Sequence, residues 1–148
     1  MRQCYHVEIE TPSKVVLNGL WFGPKKAQRV VIWVHGLGSN MFARSSIVDA
    51  LVDKKTAVLA FNNRGYERIS RIRNKEGGES ALGGSAHEVF TECADDIQGT
   101  INLVRRMGVK QVFIAGHSTG AQKAVYWANV RKSRGIDGLI LLGALSDH

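Results

Sequence analysis

Short apolar runs rich in β-branched residues recur along the chain, and glycine, asparagine or charged residues bound each of them. Such runs are typical of strands that are buried on both faces of a parallel sheet. We predict four of these strands, over residues 29–34, 56–61, 111–115 and 137–142. Upstream, residues 5–10 alternate apolar and polar side chains and residues 15–22 are apolar-rich, which predicts an N-terminal hairpin or pair of strands.

Segments between the buried strands show helical periodicity. A first helix is predicted with one apolar side, formed by Ile47, Val48, Leu51 and Val52. A second is predicted to follow a capping box, Ser85-Ala-His-Glu88, and to bury Val89, Phe90, Cys93, Ile97, Ile101 and Val104. On this helix we expect Asp95 and Asp96 to face solvent. An Ala-rich helical pattern then runs from residue 121 to residue 130.

Strands that alternate with helices predict an α/β fold with a doubly wound, mostly parallel sheet. In sheets of this kind, ligands bind at the carboxyl ends of the strands. Glycine-marked loops at Gly36, Gly65 and Gly116 fall at such ends. Between them, residues 67–85 are polar and glycine-rich and predict the longest irregular stretch, which is typical of a functional or mobile loop.

The pentapeptide Gly116-His-Ser-Thr-Gly120 stands between a predicted buried strand and a predicted helix. A G-x-S-x-G sequence in this context predicts a nucleophile elbow, in which a sharp turn lifts the Ser118 hydroxyl above the sheet. The two glycines leave room for the close approach of the strand and the helix. The alternative is an ordinary glycine-rich turn with a surface serine.

Acyl transfer at Ser118 would need two backbone N–H groups directed at the developing oxyanion. We expect Thr119, which follows the nucleophile, to supply one of them and Leu37, in the loop after the first buried strand, to supply the other. In that loop we expect His35 to fix the chain rather than to act as the general base. His117 is not expected to reach Ser118, because adjacent side chains on a tight turn diverge.

Neither glycine-rich loop fits a nucleotide-binding pattern. In a dinucleotide fingerprint that starts at Gly36, the third glycine would fall at Met41, and the segment from Gly116 to Lys123 lacks the Gly-Lys-Ser/Thr ending of a phosphate loop. No cofactor and no metal site is therefore expected.

A catalytic triad in this kind of fold runs Ser, then Asp or Glu, then His. After Ser118 the acids are Asp137 and Asp147, and the histidine is His148. Asp137 opens a strand at the wrong end of the sheet, whereas Asp147 and His148 follow a strand at the correct end. Two interpretations stay open: the chain is the N-terminal part of a longer hydrolase, or it is a minimal enzyme with His148 as the base.

Composition narrows the class of protein. The 148 residues suit one domain, and the net charge of +7 is spread along the chain without the interleaved aromatic residues of a nucleic-acid platform. Two cysteines, Cys4 and Cys93, are too few for a disulfide framework. No signal peptide or membrane-spanning run is evident, so the expected location is the cytoplasm, with no membrane or nucleic-acid partner.

These features together resemble the α/β-hydrolase superfamily. Three stretches are similar to one branch, the DUF1749-like hydrolases, which includes fungal siderophore-ester hydrolases. They are Asn62-Asn-Arg-Gly65, Ser85-Ala-His-Glu88 with its helix, and Gly116-His-Ser-Thr-Gly120 with Gly138-Leu-Ile-Leu-Leu-Gly-Ala-Leu-Ser-Asp147. The resemblance implies that residues 1–148 are the N-terminal part of a single α/β-hydrolase domain, truncated after the sixth strand. It also implies Ser118 as nucleophile and Leu37 and Thr119 as the oxyanion hole.

The first functional hypothesis is a serine hydrolase that cleaves small-molecule carboxylic esters through an acyl-enzyme. The second is a non-catalytic scaffold or fragment, in which the exposed edge of the last strand pairs with a partner chain or with a second copy. A third, nucleic-acid binding, would depend on the positive charge alone.

Overall fold

The computed structural model describes residues 3–43 and 45–144. Within them the chain forms eight strands and three α-helices. The strands are β1 (Cys4–Glu10), β2 (Val15–Phe22), β3 (Arg29–Val34), β4 (Thr56–Phe61), β5 (Ser70–Asn74), β6 (Ala81–Gly83), β7 (Gln111–His117) and β8 (Gly138–Leu142). The helices are α1 (Ser45–Leu51), α2 (Cys93–Arg106) and α3 (Thr119–Val130), and a single 3₁₀ turn (Phe90–Glu92) leads into α2.

All strands join one mixed sheet with the order β6-β5-β2-β4-β3-β7-β8, and β1 pairs with β2. The pairs β3–β4, β3–β7 and β7–β8 are parallel, whereas β1, β2, β5 and β6 add antiparallel pairs. This confirms the α/β class, the N-terminal hairpin and the parallel centre of the sheet. The carboxyl ends of β3, β4 and β7 therefore lie on the same side of the molecule, because the three strands run parallel.

Two hydrophobic layers cover the two faces of the sheet. Alternate side chains of β3 belong to different layers, since successive residues of a strand point to opposite faces. Val30, Ile32 and Val34 join the larger layer with α2 and α3, and Val31 and Trp33 join the smaller layer beside α1. Burial on both faces explains why the central strands are continuously apolar.

The segment predicted as irregular, residues 67–85, contains a hairpin. Strand β5 pairs with β6 and also with the first residues of β2, both antiparallel. The prediction failed because Ser70-Arg-Ile-Arg-Asn74 is mostly polar and lacks the apolar run of a central strand. Most of these side chains are exposed, so the strand tolerates charged residues that a central strand would not. Across residues 3–43 and 45–144 the sheet therefore has eight strands rather than the six that were predicted.

The predicted capping box at Ser85–Glu88 is also wrong. Helix α2 begins at Cys93, and Val89 and Phe90 are 55% and 41% exposed instead of buried. Cys93, Ile97, Ile101 and Val104 do form the buried face that was predicted. The carboxylate of Glu88 is drawn instead into an ion pair with Lys123 of α3. A long-range partner has thus replaced the local cap.

Asp95 and Asp96 are not the surface charges that were expected. Asp96 is fully buried and accepts hydrogen bonds from the backbone N–H and the Nε of Arg64, at 2.9 and 2.8 Å. Asp95 accepts from Arg64 Nη2 at 3.3 Å and from the Ser13 backbone N–H at 3.2 Å. A buried guanidinium needs such partners, and these carboxylates fasten the loop after β4 to α2.

Strand β8 lies at the end of the strand order and pairs within the described residues only with β7. Its Leu141 is 44% exposed, which fits the predicted exposed edge. Among the described residues, no helix has the length and the apolar composition needed to cross a membrane.

Candidate active site

Ser118 lies at the turn between β7 and α3, in a backbone conformation that only glycine adopts freely. Its φ and ψ are 54° and −128°. A non-glycine residue in this region carries strain, and such strain is concentrated at functional sites. The Ser118 N–H donates to the Leu142 carbonyl at 2.9 Å, which ties the turn to the end of β8. The strand, the sharp turn and the helix follow one another as the G-x-S-x-G sequence predicts.

The two glycines of the elbow are required by close packing. A Cβ on Gly116 would lie 2.6 Å from the Ala121 Cα, inside the first turn of α3. A Cβ on Gly120 would lie 2.7 Å from the His35 carbonyl oxygen, in the loop after β3. Both distances are shorter than van der Waals contact allows, so any side chain at either position would push α3 away from the sheet.

The loop after β3 packs directly against Ser118. A Cβ on Gly36 would lie 3.2 Å from the Ser118 Cβ and 3.6 Å from its Oγ, so a side chain at position 36 would crowd the serine. Leu37 follows with its side chain 63% exposed. The structure thus brings the loop predicted to supply the oxyanion hole to Ser118.

Thr119 begins α3, so its backbone N–H has no acceptor within the helix. The positive end of the helix dipole lies at the same place. The Thr119 hydroxyl is buried and has no hydrogen-bond partner among the described residues. Free N–H groups at a helix N-terminus beside a serine suit the stabilisation of a developing negative charge.

His35 is 1% exposed and fixes the loop through two hydrogen bonds. Its Nδ1 lies 2.9 Å from the Gly36 carbonyl, and its Nε2 accepts from the Asn63 backbone N–H at 3.3 Å. A carbonyl partner on Nδ1 and an N–H partner on Nε2 fit the neutral ring with its proton on Nδ1. Burial lowers the pKa of His35 to about 4, which also favours the neutral form.

The other histidines and acids that the sequence singled out are placed away from Ser118 or lie outside the described residues. His117 stacks on Trp33 with ring centroids 6.4 Å apart. Asp137 lies at the opposite end of the sheet, where its carboxylate accepts from the Val112 N–H at 2.8 Å. Asp147 and His148 lie outside the described residues.

A buried charged cluster beside the site was missed at the level of sequence. It consists of Lys123 on α3, Glu88 and Asn63: Lys123 forms an ion pair with Glu88 and donates to Asn63 Oδ1 at 3.2 Å. The Lys123 side chain is 1% exposed. One signal could have pointed to it, since Lys123 shares a helical stripe with Gly120, Ala124 and Trp127, which are all small or apolar.

An open cleft of about 710 Å³ runs along the outer face of α3, starting one turn beyond Ser118. Most of its lining is apolar, formed by Phe90, Ala121, Gln122, Val125, Tyr126, Asn129 and Ala144. Phe90 meets Tyr126 edge to face, with centroids 5.5 Å apart. Within residues 3–43 and 45–144, no group of three or more His, Cys, Asp or Glu side chains is placed to hold a metal ion.

Comparison with known proteins gives one family for most of the chain. The family model described as serine aminopeptidase, S33 (Hydrolase_4) matches residues 25–147. No curated protein matches the chain in sequence.

Solved structures share the fold at low sequence identity. The esterase Pf2001 of Pyrococcus furiosus superposes with a TM-score of 0.74 at 21% identity, over 97% of this chain and 50% of that one. A thermostable carboxyl esterase of Bacillus coagulans gives 0.66 at 18%, over 95% and 44%. The epoxide hydrolase VrEH1 of Vigna radiata gives 0.67 at 20%, over 93% and 38%. The chain spans about half the length of the first two structures.

Proposed function

The chain belongs to the serine aminopeptidase S33 family of α/β hydrolases, and from that premise we propose that it is a serine hydrolase acting on small-molecule carboxylic esters. The observation that carries the proposal is the strained backbone of Ser118, at φ 54°, packed against the Gly36 loop. Strain at one serine, at the carboxyl end of a central parallel strand, is what an exposed nucleophile requires.

In the proposed reaction the Ser118 Oγ attacks the ester carbonyl while a histidine takes its proton. The N–H groups of Leu37 and Thr119 stabilise the tetrahedral oxyanion. The carbon–oxygen bond to the alcohol then breaks, the histidine protonates the departing alcohol, and an acyl-enzyme remains. A water activated by the same histidine attacks the acyl group and releases the acid and the free serine.

His148 is the proposed base within this sequence, because it is the histidine that follows Ser118 in the order Ser, acid, His. A His148→Ala variant tests this assignment against Ser118→Ala. Equal loss of activity in both variants supports His148. Full activity in His148→Ala assigns the base to another residue and leaves the role of Ser118 intact.

Two features support a finer placement in the DUF1749-like branch and in a single α/β-hydrolase domain whose N-terminal part is residues 1–148. The branch motif Asn62-Asn-Arg-Gly65 and Glu88 of Ser85-Ala-His-Glu88 meet in the structure around buried charges of α2 and α3. This chain matches about half of the solved esterase Pf2001.

The proposed location is the cytoplasm, where the free Cys4 and Cys93 would stay reduced.

Labelling with a fluorophosphonate probe tests the nucleophile directly. We expect wild-type protein to be labelled and Ser118→Ala not to be. The matched control is Ser133→Ala, an exposed serine with a positive φ of 51° that lies beyond the far end of α3. Label that persists in Ser118→Ala would overturn the assignment.

A second substrate class is favoured by the family description, which names an aminopeptidase. Hydrolysis of p-nitrophenyl butyrate and of amino-acid p-nitroanilides separates the two classes. We expect the ester to be cleaved. Cleavage of the anilides alone would make the chain a peptidase with the same Ser118 nucleophile.

The alternative is that the chain is a non-catalytic scaffold, and the exposed outer edge of β8 supports it. In that case well-folded protein would take no label, and its mass in solution would show a dimer or a complex formed through β8. A Leu141→Lys substitution at the exposed position of that strand would then dissociate it, since a charge on an edge strand opposes pairing.

A further inference from the structure

Lys123 is a buried cation that the proposed chemistry does not use. Its side chain is 1% exposed, and that of its partner Glu88 is 9% exposed. A buried ion pair is weak as a source of stability, because apolar side chains of similar size often serve as well. Its place is specific, since Lys123 lies one turn beyond Thr119 on the helix that begins at the nucleophile.

The pair reaches the loop after β4 through Asn63. Lys123 Nζ donates to Asn63 Oδ1 at 3.2 Å, and the same oxygen accepts from the Gly65 N–H at 3.1 Å. Glu88 also fills the space beside Gly65, where an added Cβ would lie 2.7 Å from its Oε2. Lys123 thus contacts the loop after β4 at Asn63, and Glu88 contacts the same loop at Gly65.

From Asn63 the contacts continue to the loop beside Ser118. The Asn63 N–H donates to His35 Nε2 at 3.3 Å, and His35 Nδ1 donates to the Gly36 carbonyl at 2.9 Å. Gly36 lies beside Ser118, because a Cβ added to it would lie 3.2 Å from the Ser118 Cβ. An unbroken series of hydrogen bonds thus runs from Lys123 to the peptide group that joins Gly36 to Leu37.

We propose that Lys123 and Glu88 are positioning residues that, through Asn63 and His35, hold the Gly36–Leu37 peptide in one orientation at the nucleophile. This peptide carries the Leu37 N–H of the oxyanion hole, so the kinetic consequence rests on the proposed function. Fixed donors stabilise an oxyanion because they need no reorganisation during the reaction. Loss of the pair should therefore lower kcat and leave KM nearly unchanged.

The direct test is hydrogen exchange of the backbone amides of residues 36–40, measured in the full-length protein. The variant Lys123→Met/Glu88→Gln removes both charges together, so that neither is left buried alone. We expect these amides to exchange about tenfold faster or more in this variant, as a loosened loop requires.

Val104→Ala is the matched control for general destabilisation. It shortens a buried side chain near the far end of α2 and touches none of the proposed contacts. If the double variant and Val104→Ala speed exchange in residues 36–40 equally, the pair is only structural and the proposal is overturned. If the double variant does not fold, Asn63→Ala decides in its place, because it removes the Oδ1 acceptor and leaves the charges paired.

Ester hydrolysis gives the second readout. We expect kcat of the double variant to fall roughly tenfold or more, with KM changed less than about twofold. If wild-type protein cleaves no ester, the proposed function fails, and the exchange data still decide the positioning role. If exchange rises while kcat is unchanged, the pair holds the loop but not a catalytic peptide, which overturns the proposal.

Discussion

Asp96 of α2 accepts two hydrogen bonds from one residue, the Nε and the backbone N–H of Arg64, at 2.8 and 2.9 Å. The carboxylate is fully buried, so the contact holds both the side chain and the main chain of the loop after β4. That loop also carries Asn63, which reaches His35. A helix on one face of the sheet is thereby fastened to the side of the molecule where Ser118 lies.

Asp96→Asn should lower the free energy of unfolding by about 3 kcal/mol, because removing one charge of a buried pair leaves the other without its main partner. Asp95→Asn is the matched control. The Asp95 side chain is 19% exposed, and its loss should cost less than about 1 kcal/mol. Urea denaturation at pH 7 measures both. Equal costs would show that Asp96 is no more important to the loop than its neighbour.

Gly120→Ala should lower both the stability of the fold and the reactivity proposed for Ser118. The added Cβ would lie 2.7 Å from the His35 carbonyl oxygen, so α3 must shift, at a cost of about 1–3 kcal/mol. Because α3 begins beside Ser118, the shift should also slow labelling by a fluorophosphonate. Gln122→Ala, two residues along the same helix, should change stability by about 0.5 kcal/mol or less. A Gly120→Ala protein with wild-type stability and labelling rate would contradict the packing described for the elbow.

The predictable part of this fold is the part fixed by local pattern. The apolar runs of β3, β4 and β7 are buried on both faces, so their sequence alone identifies them. The elbow was equally visible, because Gly116 and Gly120 are required by contacts within a few residues of the turn or with the neighbouring strand. The structure places Ser118 at the turn between β7 and α3, and its role as nucleophile stays a prediction.

What could not be predicted depends on partners far apart in sequence. Glu88 has the spacing of a helix cap, yet its ion pair with Lys123, 35 residues away, decides its position. Asp96 lies beside other polar residues in the sequence, which predicts a solvent-exposed position. Its carboxylate is buried because it pairs with Arg64, 32 residues away. Periodicity records which face of an element is apolar. It does not record which buried charges will find each other.

The two cysteines should differ sharply in reactivity. Burial raises the pKa of the Cys93 thiol to about 12, so little thiolate exists at pH 8. Cys4 is exposed on β1. Ellman's reagent should therefore modify one thiol in the folded protein and two in urea, and Cys4→Ser should abolish the fast reaction. Rapid modification of Cys93 in folded Cys4→Ser protein would show that the start of α2 opens readily.

Lowering the pH should destabilise the protein because His35 takes up a proton in the unfolded chain at a higher pH than in the folded chain. Burial lowers the pKa of His35 from an ordinary 6.5 to about 4 in the folded chain. Between these values the unfolded chain binds a proton that the folded chain does not, so stability is complete above pH 6.5 and falls as the pH approaches 4. The two values correspond to about 3 kcal/mol.

The measurement is urea denaturation of wild type and His35→Gln from pH 8 to pH 4. Carboxylates contribute below pH 5 in both proteins, so the difference between the two curves isolates His35. We expect wild type to lose about 3 kcal/mol more than the variant across this range. Parallel curves would mean that folding does not lower the pKa of His35, so that the ring takes up a proton in the folded chain below its ordinary pKa of 6.5. The protonated ring could not accept from the Asn63 N–H, so the connection from Lys123 to Gly36 would be lost in that acidic range.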